Sequence, residues 1–105
     1  MAIVEVVPGI CGFRARIVST ADELCNVTLE ITSDCQHIRQ LAERLTRVSA
    51  LEDLGSAITD TTTYRVAASC KTHTACPVPA GILKAIEVAA GMALPADVQI
   101  SIRKD

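Results

Sequence analysis

The chain has 105 residues, half of them hydrophobic, with 10 Lys plus Arg against 12 Asp plus Glu and a formal charge of −2. That length suits one domain with a core of its own, and the apolar content excludes an intrinsically disordered chain. Balanced charge and only two aromatics, Phe13 and Tyr64, argue against nucleic acid, which asks for a clustered positive surface or a row of stacking platforms.

Residues 2–7 (AIVEVV) read as a strand stopped by Pro8-Gly9. Residues 12–19 alternate, with Phe13, Ala15 and Ile17 on one side and Arg14 and Arg16 on the other, the pattern of a half-buried strand. After a short connection over residues 20–23, residues 25–32 alternate again, Cys25, Val27, Leu29 and Ile31 sharing a face. Short connections between successive strands favour an antiparallel meander. The period then changes. Ile38, Leu41, Ala42, Leu45 and Val48 fall at helical spacing, with Ser33 or Asp34 in place as N-cap.

Residues 51–62 divide between a helical turn, suggested by Leu51, Leu54 and Ile58, and a loop, suggested by Gly55 and the threonine-rich stretch that follows. Residues 63–73 read either as a helix burying Tyr64, Ala67 and Ala68 or as a strand. Cys76-Pro77-Val78-Pro79 has to be extended or turning, because each proline restricts the residue before it. Pro79 suits the first turn of a helix over residues 80–90, apolar on most sides and broken near Gly91 and Pro95. Val98, Ile100 and Ile102 then alternate with Gln99, Ser101 and Arg103 as a last strand. The order β-β-β-α-α-α-β defines an α+β domain: a three-stranded antiparallel meander plus a C-terminal strand, with two or three helices packed on one face.

The most hydrophobic stretch, residues 82–96, carries Lys84 and Glu87 and is too short to span a membrane. With Pro8-Gly9 interrupting the early apolar run and no positive side chain before Arg14, no signal peptide is expected, and the chain reads as cytoplasmic. Stable disulfides are not expected there, and five cysteines are an odd number for a closed framework. Metal binding and thiol chemistry are the usual reasons for so many.

Cys25 reads as core, a small hydrophobe among Val27, Leu29 and Ile31. Cys11 lies in the turn Pro8-Gly9-Ile10-Cys11-Gly12, Cys35 in the first turn of the helix after the meander, and Cys76 before the Pro77–Pro79 start of the last helix. Helix starts favour anions, so a thiolate is stabilised there. Cys70-x-x-His73-x-x-Cys76 is the densest cluster; on a helix Cys70 and His73 would share a face. Two-residue spacings suit ligands converging on one tetrahedral ion. Cys35 and His37, two apart on a helix, diverge by about 200° and do not suit one metal together.

The string His73 to Pro95, HTACPVPAGILKAIEVAAGMALP, with Cys11-Gly12-Phe13 and Cys35-x-x-Ile38-Arg39, resembles a family of small uncharacterised proteins found widely in anaerobic microbes. The resemblance covers most of the chain and carries no activity with it. Its pattern matches Cys11, Cys35, His73 and Cys76, which implies a Cys₃His set; Cys70 is less clearly part of the pattern and is an additional candidate from the local cluster alone. Where the family pattern often has proline after the second cysteine, this chain has Gln36. An anaerobic setting would permit an oxygen-sensitive cluster.

Three readings follow. In the first, Cys11, Cys35, His73 and Cys76 bind zinc or an iron–sulfur cluster. In the second, Cys35 or Cys76 is an activated redox or nucleophilic thiolate, with His73 as base or Cys11 as resolving partner. In the third, the cysteines fill a core poor in aromatics and the chain is an interaction module, its apolar helix over residues 80–90 serving as the central core helix or as a homodimer face. No nucleophile elbow, phosphate loop, dinucleotide fingerprint or zincin helix is present.

Overall fold

The computed structural model describes residues 1–105. Four strands form one antiparallel sheet in sequential order: β1 (Ala2–Val6), β2 (Ala15–Ala21), β3 (Asn26–Ser33) and β4 (Arg47–Ser49). Register follows the hydrophobic alternation. Val4 pairs with Ile17 and Ile17 with Ile31, while Glu5 pairs with Arg16 and Arg16 with Thr32. Because side chains alternate across a strand, Ala15, Ile17, Ser19, Val27 and Leu29 are buried together, whereas Arg16, Thr20, Thr28 and Glu30 are exposed.

The helices are α1 (Gln36–Arg44), α2 (Ala50–Leu54), α3 (Thr62–Ser69) and α4 (Val78–Ala89), with a single 3₁₀ turn at Ile58–Asp60. The apolar stripe of α1 packs Ile38 and Leu41 onto β3, and α4 lies across β1 and β2 with Val78, Ile82, Ala85 and Ile86 buried. Each fully buried Ile of this kind contributes about 1.5–3 kcal/mol. Close approach of α4 depends on Gly81, where an added Cβ would stand 2.6 Å from Val6 Cγ2. One turn further on, the wholly buried Ser19 hydroxyl has a single proton to share between the carbonyls of Ala2 (3.2 Å) and Ala85 (2.9 Å), tying α4 to the β1–β2 pair.

The structure departs from the sequence reading in five places. Helix α1 ends at Arg44, not near Val48: the chain turns at Leu45, and Val48, apolar enough for either period, pairs with Val27 in β4. The N-cap of α1 is Cys35, while Ser33 is the last residue of β3 and accepts the Cys35 N–H on its hydroxyl at 3.1 Å. Cys25 is not on a strand face; it sits at φ 61 in the β2–β3 turn, half-buried beside the core. Residues 51–62 hold a short helix and the 3₁₀ turn, and the helix beginning at Thr62 stops at Ser69, because Lys71 takes a positive φ of 56. Residues 98–102 form no strand. They are exposed and pair with nothing in the chain, so the sheet gains β4 and lacks the C-terminal strand that alternation had suggested.

The β2–β3 turn shows how tightly a turn in this fold is closed. The Asp22 carboxylate accepts the N–H groups of Leu24 and Asn26, both at 2.9 Å, and pairs with Arg47 at 3.3 Å. The Asn26 N–H first, then that of Leu24, the Asn26 amide and the Arg47 charge, hold its carboxyl below the ordinary value.

Candidate functional site

Three element ends meet where β1 finishes, β2 begins and β3 finishes: Val6 pairs with Ala15 and Ala15 with Ser33. From Val6 the chain enters the loop 7–14, which carries Cys11. From Ser33 it passes directly into α1, placing Cys35 at the helix start. Gly81 against Val6 brings the first turn of α4 to the same end, and with it Cys76. Cys35 and Cys76 are half-buried against the core, and Cys11 is exposed. All five cysteines are free thiols.

The Cys76 thiol lies within range of the charge of Cys11 and of Cys35. Burial pushes the Cys76 thiol above its ordinary value, and the sulfurs of Cys11 and Cys35 push it further; the Val78 N–H, in the first turn of α4, draws it partly back. Neither α1 nor α4 has a side-chain hydrogen bond capping its N-terminus. The positive ends of two helix dipoles are therefore beside Cys35, the N-cap of α1, and Cys76, the residue before the Pro77 N-cap of α4. Loop 7–14 is held by a turn, Gly12 N–H to Gly9 carbonyl at 3.0 Å, with positive φ of 98 at Gly9 and 73 at Gly12 that favours glycine.

The other two sequence candidates are placed differently. His73 is exposed in the loop between α3 and α4, where its carbonyl accepts the Cys76 N–H at 2.9 Å, and its ring makes no hydrogen bond to a cysteine. Cys70 is buried at the C-cap of α3; its sulfur faces Arg44 Nη1 at 3.7 Å and its carbonyl bonds His37 Nδ1 at 2.9 Å. Since α3 ends before Lys71, Cys70 and His73 share no helix face, and the compact Cys70–His73–Cys76 chelate suggested by spacing does not form. Taken over the whole chain, no three Cys, His, Asp or Glu side chains are arranged to hold a metal ion. No helix is long and apolar enough to cross a membrane.

One well-ordered polar site had no signal in the sequence reading. Asp53 is buried, and its carboxylate accepts the Thr62 N–H (2.8 Å), the Thr63 N–H (3.2 Å) and the Thr63 hydroxyl (2.9 Å), while Thr61 Oγ1 caps α3 by accepting the Tyr64 N–H at 3.1 Å. The acidic residue is nine positions upstream of the helix it caps, so local spacing does not reveal it. Every donor it meets is satisfied from within the chain, and its role is structural.

This α+β architecture with its cysteine-bearing sheet end defines a class only by shape. A family model covers residues 2–102, and the chain belongs to that family, DUF6951, a family of unknown function. No curated protein and no solved structure matches the chain.

Proposed function

We propose that the chain takes up a thiophilic metal, zinc or the iron of an iron–sulfur cluster, through Cys11, Cys35 and Cys76, with His73 as the fourth donor. The observation that carries this reading is the placement of Cys11, Cys35 and Cys76 at the one end of the sheet where β1 finishes, β3 finishes and α4 begins. Thiolates gathered at one place repel, so each raises the cost of ionising the next; a cation among them reverses that sign and favours the ionised ligand set. Sulfur donors with one imidazole suit the soft end of the biological metals.

Binding requires the set to close. Cys35 and Cys76 stand at helix starts, whereas Cys11 and His73 are on exposed loops; since no three such side chains are arranged around one ion, four-coordination requires these two loops to move inward on binding. The alternative is an activated thiolate at Cys35 or Cys76; for Cys76, burial raises the thiol, the direction opposite to activation.

Purification under anaerobic conditions followed by elemental analysis and a visible spectrum tests the proposal. Stoichiometric zinc without colour, or iron with sulfide and visible absorption, is the expected result, lost in Cys35→Ser and Cys76→Ser and kept in Cys25→Ser. Metal-free protein that gains none on titration with zinc or on reconstitution with iron and sulfide contradicts it.

A further inference from the structure

Beyond the metal reading, and independent of it, the two unpaired strand-forming segments of the chain point to a partner. Strand β1 is an edge: it pairs with β2 on one side and with nothing on the other. Its inward residues Val4 and Val6 are only half-buried, and Ile3 on the other face is 50% exposed. An open edge of this kind is a template for another strand.

The second segment is the tail. Helix α4 is closed by Gly91 at a positive φ of 74, with the Gly91 N–H bonded to the Val88 carbonyl and the Met92 N–H to the Glu87 carbonyl. Past this cap, residues 94–105 are exposed throughout and form no helix or strand. Yet their pattern is that of a half-buried strand: Val98, Ile100 and Ile102, at 64, 71 and 88% exposure, alternate with Gln99, Ser101 and Arg103. Three β-branched residues on one face of an isolated segment have no reason to stay in water.

We propose that residues 98–102 of one copy add to the β1 edge of a second copy, and the reverse, giving a closed symmetric dimer. Five tail residues match the five of β1. With Val98, Ile100 and Ile102 turned to the helix side, the added strand continues the face of Val4 and Val6 and meets the flank of α4 that starts at Gly81 and, seven residues on, carries the half-buried Val88. The polar alternates Gln99 and Ser101 continue the exposed face that carries Glu5 and Arg16. A reciprocal exchange covers both open edges and both tails at once, which one-sided addition would not do, and so ends in a dimer and not a filament.

The proposal is tested by light scattering of the full chain across a concentration range, in reductant so that the exposed Cys11 cannot crosslink copies. Two variants accompany it: Ile100→Pro, which removes an N–H and breaks strand geometry in a segment that pairs with no strand of its own chain, and a chain ending at Ala96. The wild type is expected at twice the 11.1 kDa chain mass, and both variants at the single-chain mass with an unchanged far-ultraviolet spectrum. A monomeric wild type at every concentration overturns the proposal, as do variants that remain dimeric. Slow amide exchange over residues 98–102 in a monomer also overturns it, showing that the tail docks on its own chain.

Discussion

The start of α3 and the starts of α1 and α4 meet the same physical requirement with different atoms. A helix leaves its first N–H groups without partners. At α3 these groups are answered by oxygen: the hydroxyl of Thr61 and the buried carboxylate of Asp53, which accepts two N–H groups and a hydroxyl. At α1 and α4 no side-chain hydrogen bond caps the helix: Cys35 holds the N-cap of α1, where a serine or aspartate would serve stability better, and Pro77 holds that of α4, with Cys76 just before it. The comparison separates a start closed by oxygen from two starts that no side chain caps, one with sulfur at its N-cap and one with sulfur just before it.

Breaking the structural start should have the largest effect. Asp53→Ala leaves the buried Thr63 hydroxyl and two helix N–H groups without their acceptor and should cost about 3 kcal/mol in denaturant unfolding. Asp53→Asn keeps one carbonyl acceptor and should cost less. Gly81→Ala comes next: its methyl group would press on Val6 and lift α4 off β1, a loss of about 1–2 kcal/mol after the better helix propensity of alanine is counted. Because Cys76 enters the site at the head of α4, the same variant should also weaken metal uptake. An unchanged melting temperature in Gly81→Ala would show that α4 does not depend on close contact with Val6.

The sulfur-bearing starts give the opposite sign. Cys35→Ser places an oxygen at the N-cap and should raise the stability of the metal-free protein by roughly 0.5 kcal/mol while removing a proposed ligand. A variant that is both less stable without metal and fully metal-binding would erase the distinction between the two kinds of start. The smallest effect is on ionisation. Rates of alkylation at Cys76 against pH should place its ionisation above the ordinary thiol range, and Cys11→Ser with Cys35→Ser should move the profile toward lower pH without restoring the ordinary value, since burial, the larger cause, stays.

Much of the fold was legible where one period dominated. The alternation of Ala15, Ile17, Val27 and Leu29 and the helical stripe of Ile38 and Leu41 both appear as buried faces of the expected kind. Where a residue served two periods the reading failed: Val48 fits the end of a helical stripe as well as a three-residue strand, and only pairing with Val27 decides between them. The end of α3 was hidden because Lys71 adopts positive φ without being glycine. At the other extreme, residues 98–102 have a clear strand pattern with no partner inside the chain, since alternation reports an unburied face and not what will cover it.

The candidate site was legible as residue types at element ends. That the segments bearing Cys11, Cys35 and Cys76 come to one end of the sheet depends on Val6, Ala15 and Ser33 lying side by side and on α4 beginning against Val6, relations among residues 6 to 81 that no local spacing contains. The locally dense trio of Cys70, His73 and Cys76 was the weaker guide, because the helix that would have aligned the first two stops short.

The most direct test counts thiols in the folded protein, purified anaerobically, by mass after brief alkylation with and without prior treatment with a strong chelator. Protection of Cys11, Cys35 and Cys76 together, lost together on chelation while buried Cys70 stays unreactive in both, is the predicted result. Rapid labelling of Cys11 before chelation, with Cys35 and Cys76 reacting at rates the chelator does not change, would contradict it.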